Sequence, residues 1–429
     1  MNKPISCLRA CVIVLGVAGS LHGRLAWAQL VPPAGSVSVA ASSASTPPTV
    51  TLAAALDAAW GRAAAARESE ALRRRAVADR AVASSLWAAP PSLEFVLRDD
   101  RFHGNQGQRE AEIGVTVPLW LPGQRSARGA TVSAAGAQAE AAERVARLRL
   151  AGELRLAAWS LVVLLADAAQ VEAQVQTLHQ LAEDVERRVR AGDLARADAL
   201  AAQAELLSAR ALQAEARQAA RAGFGHWTLL TGLSAKPELE AEPAALNPPM
   251  HVPLDHPELQ LARLATEHAR RRLDLAQQSG REPPVLLLGL RQDTAGRGQS
   301  SQGGVVVGMR LPFGTDDRNL PLQAAALSEL DIAESTEPRL RDRLDSELAG
   351  ARGAEQSAQA QYDAEAARVR LLRERATLID RSFRAGETAL PDLLRAIALA
   401  AQADSAATRQ QAALGLAHAR RQQALGLLP

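Results

Sequence analysis

The chain has 429 residues, with 49 Lys and Arg against 47 Asp and Glu and a formal net charge of +2. That near-neutral balance argues against a nucleic-acid partner, which needs a basic face. Ala is abundant, whereas there are only 1 Tyr and 5 Phe, a composition that favours long helices over a thick aromatic core.

The N-terminus reads as a secretory signal. Lys3 and Arg9 precede the apolar run "CVIVLGVAG" (11–19), and Ala26-Trp27-Ala28 supplies a small-x-small cleavage signature. Residues 1–28 are therefore expected to be removed, and the apolar run is too short to span a bilayer as a helix. Both cysteines, Cys7 and Cys11, leave with it. The mature chain is expected to have no disulfide, no Cys-ligated metal and no lipid-anchoring Cys at the cleavage point. Lys3, Arg9 and Arg24 leave too, so 46 basic residues face 47 acidic ones. Residues 29–50 are Ala, Ser, Pro and Val without period, the pattern of a flexible leader.

A first unit spans 51–232. It opens with a helical segment (51–88), meets Pro90-Pro91, and continues with β-like segments 92–98 and 110–119 around the polar loop 99–108. Stretch 124–190 follows; as one helix it would be about 100 Å long at 1.5 Å per residue. The phrase "VRAGDLARAD" (189–198) and a last helix complete the unit. Residues 233–255 are a Pro-rich linker, expected near the equator of the chain.

A second unit spans 256–429 and repeats this grammar. A helical segment (256–280) meets Pro283-Pro284, then β-like segments 285–291 and 304–311 surround the loop 293–302. A second long helical stretch contains Pro338, expected to kink or interrupt it. It ends in "FRAGETALPD" (383–392) and a final helix. Gly114 and Gly308, Pro118 and Pro312, and Gly192 and Gly386 are each 194 residues apart, which marks a tandem duplication. The buried stripes repeat as well. Val175, Leu178, Ala182, Val185 and Val189 are matched one for one by Val369, Leu372, Ala376, Ile379 and Phe383. Alternating three-four spacing is a coiled-coil seam and needs a partner helix.

Each β-like segment has one apolar and one small or polar face. Leu93, Phe95 and Leu97 oppose Ser92, Glu94 and Arg98; Val305, Val307 and Met309 oppose Gly304, Gly308 and Arg310. One such segment reads best as a half-buried soluble sheet. Four of them in an exported chain suit a transmembrane barrel with its apolar face outward. Four strands cannot enclose a lumen, and open edges are not tolerated in lipid. A membrane reading therefore requires copies of the chain to share one barrel. Trp87 and Trp120 flank the strands and fit either an interfacial aromatic belt or ordinary packing.

Duplicated halves, two strand hairpins, very long helices and the twice-written Arg-Ala-Gly phrase together resemble the TolC family of outer-membrane efflux proteins, over roughly residues 51–428. The resemblance implies a mainly α fold with a membrane β-barrel portion. A long coiled-coil helical tunnel would cross the periplasm, and four strands per chain would join a shared twelve-stranded barrel of a homotrimer. It implies the outer membrane of a Gram-negative bacterium, a periplasmic adaptor, and an inner-membrane pump of the resistance-nodulation-division type. No cofactor is implied. The short chain without a lipid Cys looks most like the branch tied to heavy-metal cation pumps; drug efflux and type I protein secretion are the alternative duties.

In that family the Gly-containing phrase is the turn at the periplasmic entrance. Arg190, Gly192, Arg384 and Gly386 are then the candidates for adaptor docking. By themselves, Gly192 and Gly386 suit the positive φ that ends a helix, and Asp193 or Thr388 is expected to cap the next one. Pro391 falls in the first turn of that helix, where a missing N–H costs little. The resemblance also places gate residues at Asp392 and Arg395, where the family has two acidic positions. Arg395, one turn from Asp392, would partly neutralise it. The family's closing contact pairs an Asp matching Asp198 with an Arg where this chain has Thr388, so that salt bridge is missing. Against these roles, Asp392 serves equally as a cap or a solvated charge, and Arg190 and Arg384 suit a helix C-terminus.

The histidines are scattered, with no i, i+4 pair, so no tight metal site is expected. No phosphate-binding Gly loop, nucleophile elbow or HExxH occurs, and an enzyme is not expected. The rival of another class is a non-channel structural coiled-coil protein of the envelope, which leaves the four dyad-patterned strands unused.

Overall fold

The structure, a computed structural model, describes residues 49–429 apart from His103, residues 240–248 and residues 314–315. The expected signal peptide, most of the 29–50 leader and the centre of the 233–255 linker lie outside the described residues.

In chain order the elements are β1 (Thr49–Thr51), α1 (Leu52–Arg62), α2 (Ala64–Ala83), β2 (Ser92–Asp99), β3 (Arg109–Pro118), α3 (Gln124–Ala191) and α4 (Arg196–Thr231). Then come β4 (Lys236–Glu238), α5 (Pro257–Gln278), β5 (Val285–Thr294), β6 (Gln302–Arg310), α6 (Asp316–Arg384) and α7 (Leu390–Ala424). The single helical segment expected over 51–88 is split, because Ala63 adopts ψ 139 and stops the first helix. Residues 49–50, read as leader, form most of β1, which pairs in parallel with β4 of the linker. Three-residue strands carry no periodicity, so the sequence gives no sign of this pair.

The helices α3 and α6, of 68 and 69 residues, are each about 100 Å long. The helical run of α6 passes through both Pro321 and Pro338, so of the two expectations for Pro338, a kink or an interruption, the interruption does not occur. Pro338 withholds a donor from the Glu334 carbonyl. One turn earlier, Ser335 and Thr336 hydroxyls both donate to the Ile332 carbonyl, at 2.9 and 2.7 Å. Such local side-chain bonds accommodate a helix to a disturbed ladder.

Hairpin α3–α4 packs beside hairpin α6–α7, with α3 against α7. In the other half of the molecule α3 is flanked by α2 and α5, and α5 by α6. The core at the junction gathers Leu150, Leu154 and Leu161 of α3, Ala55 and Ala59 of α1, and Trp227 of α4. Trp227 is fully buried and donates Nε1–H to the Ala235 carbonyl at 2.9 Å. The α5–α6 contact is instead laced by charge: Arg263 reaches Glu337 at 2.9 Å, Arg270 reaches Glu334 at 2.8 Å, and Arg272 pairs with Glu329.

The other four strands form one antiparallel sheet in the order β2-β3-β5-β6. Gly114 stands opposite Gly289 at its centre. A Cβ on Gly289 would lie 2.8 Å from the Ile113 carbonyl oxygen, so the two middle strands approach only because that side chain is absent.

Candidate functional site

Two features could carry function: the sheet faces and the turns that join the long helices.

The register aligns the apolar residues in rows across all four strands. Leu93, Val115, Leu288 and Val307 form one row; Phe95, Ile113, Leu290 and Val305 form the next. All eight are exposed large hydrophobics. A continuous exposed face of this kind is far beyond the scattered apolar residues of a soluble surface. On the opposite face Glu94, Gly114, Gly289 and Val306 align, followed by Val96, Glu112, Arg291 and Gly304. Near the hairpin tips Arg98 reaches Glu110 at 3.1 Å, and Arg291 reaches Asp293 at 2.8 Å. The two tip loops are tied together by Arg297, whose N–H donates to the Gln106 carbonyl at 3.0 Å and whose Nη2 donates to Asn105 Oδ1 at 3.0 Å. Trp120 flanks this sheet half-buried and donates Nε1–H to the Ser85 carbonyl at 3.2 Å. Strands β2 and β6 each pair on one side only, leaving two edges with unused backbone groups.

At the far end of the helices, Gly192 (φ 89) and Gly386 (φ 81) terminate α3 and α6 in the left-handed region. The closing bonds are the same in both turns. Asp193 N–H donates to the Arg188 carbonyl at 2.9 Å, and Glu387 N–H to the Ser382 carbonyl at 3.0 Å. Gly192 N–H donates to Val189, and Gly386 N–H to Phe383. This is the double closure that satisfies orphan carbonyls after a glycine, with donors and acceptors 194 residues apart in each case.

The next helices start differently from expectation. Their N-caps are Ala195 and Ala389, neither with a side-chain cap; Asp193 and Thr388 do not cap them. In the first turn Asp198 reaches back instead, its carboxylate accepting the Ala195 N–H at 3.2 Å. In the second, Pro391 sits in the first helical turn, and the Thr388 and Ser382 hydroxyls pair at 2.5 Å. Asp392, 194 residues after Asp198, meets Arg395 of its own helix at 3.7 Å, with both side chains well exposed. Arg384 pairs with Asp380 at 3.0 Å, and Arg190 donates to the Glu186 carbonyl at 3.4 Å. Thus Arg190, Gly192, Arg384 and Gly386 all lie exposed at the tips.

Behind the turns lies an apolar plug. Val185 and Ala202 of the first hairpin pack with Phe383, Leu390 and Leu393 of the second. The Arg188 guanidinium stands 5.1 Å over the Phe383 ring, a cation–π contact that links α3 to α6. Further along, the α3–α7 seam turns polar. Asp404 accepts from Arg373 of α6 at 2.8 Å and from Gln170 of α3 at 3.2 Å. Asp167 accepts from Arg409 at 3.1 Å. Sequence reading does not single out these groups, because partners in different helices, 31 to 242 residues apart, share no local pattern. Among the described residues no group of three His, Cys, Asp or Glu is placed to hold a metal ion.

No protein-family profile matches the chain, and no curated protein matches it. Solved structures do. The outer membrane protein VceC from Vibrio cholerae is 16% identical, with a TM-score of 0.68 over 87% of this chain and 96% of its own. CusC, described for its folding and transmembrane channel formation, is 15% identical, with a TM-score of 0.72 over 87% of this chain and 92% of its own. The Campylobacter jejuni outer membrane channel CmeC is 14% identical, with a TM-score of 0.70 over 93% of this chain and 94% of its own. At such identities the likeness is one of fold. The chain has the fold of the TolC-type outer-membrane channels.

Proposed function

We propose that this protein is the outer-membrane duct of a tripartite efflux system. Three copies share one twelve-stranded barrel in the outer membrane and one helical tunnel across the periplasm. The two repeat units, 51–232 and 256–429, each contribute one strand hairpin and one helical hairpin. The observation that carries this reading is the four-stranded sheet, exposed and apolar on one face, mostly small or polar on the other and open at both edges. A monomer leaves those edges unpaired in lipid, whereas a closed ring of copies satisfies them. The fold shared with outer-membrane channels supports it.

The duct is passive. Energy comes from an inner-membrane pump of the resistance-nodulation-division type, and a periplasmic adaptor docks at the turns holding Arg190, Gly192, Arg384 and Gly386. Asp392 and Arg395, with Asp198 and Thr388, lie where the entrance narrows. Because each exposed Asp392 has Arg395 within 3.7 Å, the entrance is only a weak cation attractor. Divalent heavy-metal cations are the sharper cargo reading; drugs and exported polypeptides are the other two. Deletion of the gene, followed by susceptibility tests against zinc, cobalt, cadmium, copper and a drug panel, separates them. Sensitisation to the metals alone supports metal export. Equal sensitivity of deletion and parent to every metal removes it. A structural, non-channel role predicts a monomer that lacks heat-modifiable migration.

A further inference from the structure

The polar face of the four-stranded sheet carries its charges in a fixed order. The two rows nearest the hairpin tips are Val96, Glu112, Arg291 and Gly304, then Arg98, Glu110, Asp293 and Gln302. Two guanidiniums there meet three carboxylates. Arg98 donates to both oxygens of Glu110 at 3.1 Å. Arg291 reaches Asp293 at 2.8 Å and stands 3.5 Å from Glu110. Both of its partners lie toward the tips. Glu112 is directly across from Arg291, yet among the described residues it makes no ion pair and no side-chain hydrogen bond. Glu112 is therefore the surplus charge of this collar.

The rest of the face does not cancel it. Toward the helices the next rows are Glu94, Gly114, Gly289 and Val306, then Ser92, Thr116, Leu287 and Gly308, and Arg310 ends β6 below them. Glu94 and Arg310 offset one another in sum. The glycines place no side chain on the face, so the charged groups of the collar border open space. Beyond the collar, Arg101 and Arg109 both pair with Asp99, at 2.9 and 3.5 Å. The Asp100 carboxylate accepts the N–H groups of Gln106 and Gly107, and Arg297 is folded into the tie between the loops. These tip groups lie past the last strand row, where water screens them most strongly.

Resting on the duct reading above, we propose that Glu112 sets the ion preference of the duct, at its outer exit rather than at its periplasmic entrance. The polar face lines the lumen because the apolar face meets lipid. Twelve strands ~4.8 Å apart and tilted by about 40° put the wall ~12 Å from the axis. A carboxylate reaching inward from that wall stands within about one Debye length, ~10 Å at 0.1 M salt, of a passing ion. Each copy adds one Glu112 at the same level, and the resulting ring of uncompensated carboxylates attracts cations and repels anions. At the entrance each Asp392 has Arg395 at 3.7 Å, so that ring is neutral in sum. Glu112 acts through its field and not as a ligand, since among the described residues no metal-holding group includes it.

Reversal potentials test this. The full-length protein is recorded in a planar bilayer under a KCl gradient centred near 0.1 M, and the ratio of potassium to chloride permeability is read from the zero-current voltage. The parent is expected to prefer potassium. Glu112→Gln, which keeps the shape and removes the charge, is expected to bring the ratio close to one, and Glu112→Asp to keep it near the parent value. Arg291→Gln, which removes a cation from the same row, is expected to raise it. These differences are expected to shrink near 1 M salt, where the Debye length falls to about 3 Å; a purely structural change would persist. A parent without potassium preference, or a Glu112→Gln channel with the parent ratio, overturns the proposal and leaves the duct reading standing. So does a ratio that moves with Asp392→Asn and not with Glu112→Gln. A folded parent that conducts nothing sinks the duct reading itself. Where Glu112→Gln does not assemble, Arg291→Gln decides: a raised ratio supports the proposal and an unchanged one overturns it.

Discussion

The two helical turns close with the same backbone bonds and begin their next helices with different side chains. At the first, Arg196 and Ala199 occupy the positions that Leu390 and Leu393 occupy at the second. Leu390 and Leu393 are buried to within 1% exposure and bind the second turn into the apolar plug with Val185 and Phe383. The first turn rests on the same plug through the partly buried Leu194 and Ala199, and a carboxylate, Asp198, holds the start of its next helix. Backbone geometry at a glycine-ended helix is dictated by the helix itself. What fills the space behind it is free to diverge after duplication, and here two fully buried leucines anchor one turn while the other has only partly buried apolar contacts and a carboxylate.

That asymmetry is open to direct attack. Leu393→Ala is expected to cost about 2–5 kcal/mol, the range for truncating a buried leucine, and to strip hydrogen-exchange protection from 379–397. Arg196→Ala, at an exposed position, is expected to stay within about 0.5 kcal/mol. Equal losses at both turns would erase the distinction between them.

Gly192→Ala and Gly386→Ala probe what the turns share. Open space surrounds both glycines, so only the positive φ opposes a side chain, at about 1 kcal/mol each. Thermal unfolding of the two variants should agree; a much larger loss at one would show that its turn is held by more than backbone.

Replacing the two aspartates sharpens the contrast on a smaller scale. Asp198→Ala removes the acceptor for the Ala195 N–H and is expected to cost about 1 kcal/mol. Asp392→Asn breaks an exposed pair and is expected to cost less than about 1 kcal/mol. The reverse order, read from melting curves, would mean that Asp392 carries a contact beyond Arg395.

The smallest effect concerns pH at the junction rather than the turns. Burial pushes the His256 pKa below its usual value, opposed in part by Glu258 and Asp255. Its Nδ1 accepts the Glu258 N–H at 3.2 Å, which requires the neutral ring. The unfolded chain binds that proton near pH 6.5 and the folded chain only at lower pH. Stability is then full above about pH 6.5 and falls as the pH drops toward the folded value. His256→Asn, which keeps a capping acceptor, should flatten the melting temperature between pH 7 and pH 5.

Much of the fold was legible in the sequence because it is periodic. All four strands of the larger sheet fall within a few residues of their dyad patterns, and the turn glycines stand where Arg-Ala-Gly places them. Leu178, Val185 and Phe383 of the three-four stripes are buried. What escaped was set by context. Pro338 stays inside α6, exposed, beside the local hydroxyl bonds of Ser335 and Thr336 to the Ile332 carbonyl. The N-caps fall at Ala195 and Ala389 because the closing bonds after each glycine fix where the next helix begins, whatever oxygens stand nearby. The polar seam at Asp404, Gln170 and Arg373 joins three helices and shows no local signal.

The central claim is that copies of this chain enclose a water-filled duct. It is tested most directly by adding the purified full-length protein to a planar lipid bilayer under voltage. Discrete, reproducible conductance steps from a protein that migrates as a heat-dissociable trimer are the predicted result. A properly folded protein that remains monomeric and produces no conductance would contradict it.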